Sequence, residues 1–356
     1  MSMARTTVLA WVVLAAVTVS QRAPGEAPKK PAPATSASAP AASTSASAAS
    51  APTVLASTTP GIMRLVADDT ALYWANGKKV QSVDKAGGAV RDVAVGTQPI
   101  GRVEVVAGKL YWTLGGVYVF EGNEPPNPAQ LFTLTKPSTA TRVLADAKLA
   151  EPIERVFASG SSVCVYSTNW GTAMFLASGS FQPVCFDPSK PSGFAAAALG
   201  WSNGDMHLGA VTADDKNVYA VHMHDDGSSS LLSIPYSATG KSTAKETKLL
   251  SVDFADQGGD ILATADALIF LDTTGLVRVT KSPPVTRTVL AAGIHGTQLA
   301  ADATHVYWLW SGKIHRVALN GAGKPQPVVG TKASSFTIDA TSIYWFDAGK
   351  LSKAPK

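Results

Sequence analysis

The stretch Ala301-Asp302-Ala303-Thr304-His305-Val306-Tyr307-Trp308, followed by Gly312-Lys313-Ile314-His315-Arg316-Val317, decides the fold. It reads as a small polar turn, an apolar strand ending in aromatics, a glycine turn and a second, alternating strand. Its central triplet, Val306-Tyr307-Trp308, has echoes at Leu72-Tyr73-Trp74, Leu110-Tyr111-Trp112, Val163-Cys164-Val165, Val218-Tyr219-Ala220, Leu268-Ile269-Phe270 and Ile343-Tyr344-Trp345. The middle residues of the seven copies are separated by 38, 53, 55, 50, 38 and 37 positions. The shortest spacing is the repeat itself, and the three long gaps contain insertions.

Each copy follows one grammar. A short alternating strand comes first, such as Arg64-Leu65-Val66-Ala67 or Ser335-Phe336-Thr337-Ile338. A polar turn follows, often with aspartate: Asp68, Asp214, Asp266, Asp302 or Asp339. After the aromatic strand, a glycine-containing turn leads to a third strand, such as Lys79 to Val83 or Leu276 to Val279. A fourth follows, such as Arg142 to Ala145 or Thr288 to Ala291. Four short antiparallel strands repeated seven times predict an all-β fold, a seven-bladed β-propeller, with six or eight blades as the alternatives. The aromatic strands are apolar on both faces, as expected of blades sandwiched between neighbours. Copy seven stops after its third strand, Leu351 to Ala354, while an isolated fourth-strand sequence, Thr53-Val54-Leu55-Ala56, precedes copy one. The N-terminal strand is therefore expected to complete the last blade and close the ring.

Upstream of the repeats the composition changes. Residues 1–20 read as an export signal, with Arg5 ahead of the short apolar run Val8 to Val19 and cleavage after Ser20, or else as an uncleaved anchor. No cysteine follows that run, which argues against lipid modification. Residues 21–51 are almost wholly Pro, Ala, Ser and Thr with a few lysines, the composition of a disordered tether. The propeller is expected over 52–356. Destinations consistent with this order are the periplasm, the cell surface or the medium, with a membrane involved only through the N-terminal segment.

The whole chain is 46% apolar and 16% charged, with 30 glycines and 22 prolines, which suits short strands and tight turns. Its net charge of +4 is misleading: Arg5, Arg22, Lys29 and Lys30 against Glu26 leave only +1 for everything after residue 51. A nearly neutral repeat region carries no nucleic-acid footprint. Nucleophile elbows, phosphate loops, dinucleotide fingerprints and zinc-protease helices are not found, so no catalytic residues are expected.

The triplets, above all Leu110-Tyr111-Trp112-Thr113, resemble YWTD-type propeller repeats and those of exported bacterial propellers, over about residues 53–354. The aspartate that completes the YWTD motif is missing after Trp74, Trp112 and Trp308. The resemblance implies a binding scaffold and supplies no catalytic residues.

Candidate sites follow from the repeat. The turn aspartates fall one per blade, so they read as turn-forming residues, not as ligands of one ion. His222 and His224 lie two apart on a strand and share a face; with Asp225, and with His207 on the preceding strand, they form the candidate site for a divalent metal. No other cofactor is expected. Cys164 and Cys185 are the only cysteines and, in an exported chain, are expected to form a disulfide bracing blade three. Insertions follow the aromatic strand in blades two (Glu121 to Pro128), three (Ser167 to Phe181) and four (Asp225 to Ser230), and so should crowd one face. That face should also receive the connections carrying Arg102, Glu154, Arg155, Asp260 and His295, beside Trp170, Trp201 and Trp310. The expectation is a monomeric, non-enzymatic propeller that binds a protein, peptide or glycan there. The alternative is a metal-assisted hydrolase or lyase with Glu154, Asp260 and His295 at the channel mouth.

Overall fold

In the computed structural model every aromatic triplet lies on the second strand of its own antiparallel sheet. The structure describes residues 51–59, 64–114, 130–136, 139–145, 153–159, 162–167, 184–186, 207–224, 226–235, 247–254, 260–329 and 332–356. The expected export signal and tether, residues 1–51, lie outside them except for Ala51.

The chain opens with Thr53–Ser57 (β1). Blade one is Leu65–Ala67 (β2), Ala71–Asn76 (β3), Lys79–Asp84 (β4) and Arg91–Val95 (β5). Blade two is Ile100–Val106 (β6), Lys109–Leu114 (β7), Gln130–Lys136 (β8) and Thr139–Ala145 (β9). Blade three shows Ile153–Ser159 (β10), Ser162–Ser167 (β11) and Val184–Phe186 (β12) among the described residues. Blade four is His207–Ala213 (β13), Asn217–Met223 (β14), Ser229–Pro235 (β15) and Thr247–Val252 (β16). Blade five is Ile261–Ala263 (β17), Ala267–Asp272 (β18), Gly275–Thr280 (β19) and Arg287–Ala292 (β20). Blade six is Thr297–Ala301 (β21), His305–Trp310 (β22), Lys313–Ala318 (β23) and Gln326–Val329 (β24). Blade seven is Ala333–Ile338 (β25), Ser342–Asp347 (β26) and Lys350–Pro355 (β27), with β1 as its fourth strand.

The ring is visible in which strands touch. The innermost strands neighbour one another in the order β2, β6, β10, β13, β17, β21, β25 and back to β2. Between successive blades lie seven apolar clusters, one per seam. Trp74, Trp112, Trp308 and Trp345 are fully buried in these seams; Trp74, for example, meets Phe346 of blade seven edge-on at 5.3 Å. A large ring excluded from water contributes more than any single aliphatic side chain, which is why the triplet survives as the most regular feature.

Closure follows the expected register. β1 pairs antiparallel with β27, Thr53 opposite Lys353 and Ser57 opposite Lys350, with a bulge between Val54 and Ala56. Leu55 is buried in the seam between blades seven and one, with Leu65, Trp74, Tyr344 and Phe346.

The turn aspartates take up their structural positions and recruit more partners than the sequence reading assigned. Asp302 Oδ1 accepts the Thr304 and His305 amides, each at 2.8 Å, and its Oδ2 accepts the Tyr307 hydroxyl at 3.0 Å. The same arrangement recurs at Asp68 with Tyr73, Asp214 with Tyr219 and Asp339 with Tyr344. In three seams a lysine from the next blade caps it: Lys85 on Asp339 at 2.9 Å, Lys281 on Asp214 at 2.7 Å and Lys356 on Asp302 at 2.6 Å. Each ammonium also lies within 6 Å of the face of the partner tyrosine, at 5.7, 5.0 and 5.8 Å. Leu319 occupies the same backbone position in blade six, so the seam between blades five and six lacks this latch. There Asp266 pairs with Arg278 of its own blade.

Candidate functional site

Two kinds of connection share one face. The β3–β4 turn bonds the chain entering blade two: Gly96 N–H donates to Lys78 at 2.7 Å and Ile100 N–H to Gly77 at 2.8 Å. Ala333 N–H donates to Gly312 at 2.8 Å in the same way between blades six and seven. In these blades the second-to-third-strand turn therefore lies beside the entry to the next innermost strand. The Asp–Tyr–Lys latches occupy the other face.

At these entries an irregularity recurs. β6, β10, β13, β21 and β25 each carry a register shift near the start, at Gly101-Arg102, Glu154, Gly209, Gln298 and Ser334. Such bulges re-aim side chains at strand ends. Here they accompany a charged cluster around a cavity of about 200 Å³ bounded by innermost strands of blades one, two, five, six and seven.

Arg102 Nε donates to Glu104 Oε1 at 2.7 Å, and Arg64 Nε lies 3.3 Å from the same oxygen. Across the channel, Arg155 pairs with Asp260 Oδ1, and Arg64 Nη1 approaches that oxygen to 3.9 Å. Asp260 Oδ2 accepts the Leu299 amide at 3.0 Å. Burial would raise the Asp260 carboxyl, but the Arg155 and Arg64 guanidinium groups and that amide hold it below the usual carboxylate range. Burial, reinforced by the like charges of Arg64 and Arg155, pushes Arg102 down to about 10 despite its bond to Glu104.

The structure thus brings Arg102, Arg155 and Asp260 together, as the face argument expected, and adds Arg64 and Glu104, which it missed. A signal was present. Leu65, Val103, Val156, Val211, Ile261, Leu299 and Phe336 each pair with the last residue of their blade's triplet. The residues just before them form one level of the inner ring: Arg64, Arg102, Arg155, Ala210, Asp260, Gln298 and Ser335.

The other expected residues separate from this cluster. Glu154 lies on β10 at the bulge, its side chain outside the described residues, as are Trp170, Trp201 and Asp225. His295 is exposed in the β20–β21 connection and does not line the cavity. Trp310, 39% exposed, ends β22 and leans on His315 at 5.6 Å. The expected blade-four insertion is corrected: Ser229 and Ser230 belong to β15, and His224 to Ser228 closes as a tight turn.

His222 and His224 do lie side by side, with ring centroids 4.1 Å apart and the rings tilted by 50°, and His224 Nε2 lies 2.9 Å from Ser230 Oγ. The register, however, seats His207 opposite Met223 and Leu208 opposite His222. The His207 side chain lies outside the described residues. No group of three His, Cys, Asp or Glu suited to a metal gathers among the described residues. At the channel, Glu104 and Asp260 are already engaged by three guanidinium groups. That donor set does not fit the divalent metal of the enzymatic alternative.

The cysteines meet the expectation of proximity: Cys164 on β11 is directly opposite Cys185 on β12.

No protein-family model and no curated protein matches the chain. Solved structures do. Virginiamycin B lyase from Staphylococcus aureus superposes with a TM-score of 0.54 at 12% identity, covering 85% of this chain and 98% of its own. The computationally designed protein Ika8 gives 0.53 at 11% identity, covering 85% and 98%. PorZ of Porphyromonas gingivalis gives 0.54 at 12% identity over 85% of this chain and 38% of PorZ. At such identities the likeness is one of fold, and the protein is a β-propeller. The finer likeness to YWTD-type repeats is not carried by these comparisons.

Proposed function

We propose that the chain is an exported, non-enzymatic binding propeller that recognises a protein, peptide or glycan. The recognition surface is the face holding the channel mouth and the second-to-third-strand loops of blades two and three. The observation that carries this reading is the charged cluster of Arg64, Arg102, Glu104, Arg155 and Asp260, set at the centre of the face where the connections emerge. A rigid ring with polar groups gathered at one mouth is the arrangement on which scaffolds present binding loops. Export rests on the sequence of residues 1–51, and a Cys164–Cys185 bridge on β11–β12 belongs to the same reading. PorZ, described as a bacterial surface component of a secretion system, shows that this fold occurs in such a setting. The YWTD-like triplets agree with a binding scaffold.

The test is binding of the purified full chain to glycan and peptide arrays, with two variants. Arg102→Gln alters the mouth, and Asp69→Lys alters an exposed turn on the latch face. Array signals that disappear with Arg102→Gln and persist with Asp69→Lys support the proposal. Signals that persist with Arg102→Gln and disappear with Asp69→Lys, or no signal from the wild type, overturn it.

A further inference from the structure

The cavity at the channel mouth is lined by hydrogen-bond donors that find no acceptor among the described residues. Arg64 lines it and makes two ion pairs, at 3.3 and 3.9 Å, but no well-formed hydrogen bond among the described residues. A guanidinium has five N–H groups in a planar fork, so most of its donor capacity is open. Gln298 lines the same cavity. Its Oε1 accepts the Phe336 amide at 3.0 Å, which fixes the side-chain orientation and leaves the NH2 end as the open group. Its backbone holds φ at 50°, a left-handed conformation uncommon for a residue other than glycine, of the kind that clusters at binding sites. Thr337 adds a hydroxyl to the same wall.

Both carboxylates nearby already meet guanidinium groups. Glu104 Oε1 faces both Arg64 and Arg102, while Asp260 meets Arg155 through Oδ1 and the Leu299 amide through Oδ2. Three guanidinium groups stand against two carboxylates in this described cluster. The inner-ring level is asymmetric: blades one, two and three supply arginines, while blades five, six and seven supply Asp260, Gln298 and Ser335. A volume of about 200 Å³ holds one small polar group with a few waters and excludes a large cofactor.

We propose that the channel mouth is a carboxylate-binding site, with the Arg64 fork gripping both oxygens and the Gln298 amide and Thr337 hydroxyl donating from blades six and seven. A carboxylate matches a planar guanidinium fork in bidentate fashion. It belongs either to a free small acid or to an acidic residue or chain end of a partner. This deepens the proposed binding face and rests on it.

Calorimetric titration of the full chain with succinate, with a glutamate-bearing hexapeptide, with its glutamine counterpart and with inorganic phosphate tests the site. Wild type should bind succinate or the glutamate peptide. Arg64→Gln should weaken that binding at least tenfold. Gln298→Glu, which keeps the acceptor for the Phe336 amide but replaces the donors, should abolish it. Asp69→Asn should bind as wild type does. Melting temperatures of all variants exclude a folding defect as the cause of any loss. Succinate binding identifies a free acid as the source; binding of the glutamate peptide alone identifies a partner chain. No binding to either, equal binding by both mouth variants, equal binding of the glutamine peptide, or preference for phosphate overturns the proposal. Array signals dependent on Arg102 but indifferent to Arg64→Gln would leave the binding face standing and remove only the carboxylate.

Discussion

Asp214 shows how much a single turn residue carries. Burial alone would raise its carboxyl, but the Lys281 ammonium, the Lys216 and Asn217 amides and the Tyr219 hydroxyl together hold it at about 2. The folded-state value lies below the ordinary 3.8, so its contribution is whole above about pH 4 and is lost as pH falls towards about 2. The Tyr219 hydroxyl, pushed up to about 12 by burial and by the bond to Asp214, has the opposite sign: its share is present at neutral pH and is lost as pH rises through that value. Asp214→Asn should destabilise by about 1–2 kcal/mol at pH 7, after discounting for the partial exposure of the pair. Urea midpoints across pH should show the two proteins converging below pH 3; a constant gap would remove the latch from the account. Asp302 and Asp339, held down in the same manner and further once burial is overcome, extend the acid loss of stability to lower pH. The aspartate and its turn were legible because the motif is local. The lysine was not, because Lys281 reaches Asp214 across 67 positions and only the ring makes them neighbours.

At the scale of elements, the three-residue β12 is paired with β11 through Cys164 opposite Cys185. Directly opposed strand positions approach the Cβ separation a disulfide needs. A bridge there would close a loop of about 20 residues and contribute about 3 kcal/mol in the chain-entropy view. Thiol counting on denatured, unreduced protein should give none, and two after reduction; two reactive thiols before reduction would refute the bridge. Strand existence was legible throughout, since apolar alternation and turn chemistry are properties of adjacent residues. The bulges at Arg102, Glu154 and Gln298 were not, because a one-residue register shift leaves the alternation of a short strand almost unchanged. Those shifts determine which residues gather at the mouth, so the site was read only in part: Arg102, Arg155 and Asp260 by their place in the connections, Arg64 and Glu104 not at all. The register of His207 beside Met223 was legible, because it follows from counting back across the turn at Asp214.

For the whole molecule the governing fact is closure. Seven seams each bury their own apolar cluster, and six of them join blades consecutive in the chain. The seventh joins blades one and seven, and β1 seals it by pairing with β27 and burying Leu55 against Leu65, Trp74 and Tyr344. Arg64 of blade one and Asp260 of blade five approach each other only because that seam is shut. Removing β1 forfeits a handful of ladder hydrogen bonds at about 1 kcal/mol each and the burial of one leucine at about 2 kcal/mol. For a domain of this size that corresponds to a melting temperature lower by on the order of 10 °C. The measurement is the thermal unfolding of chain 58–356 beside chain 52–356, alone and with a synthetic peptide spanning residues 51–59. The ring predicts a drop of that order on deletion and partial recovery when the peptide is added; equal melting temperatures for the two chains would contradict it.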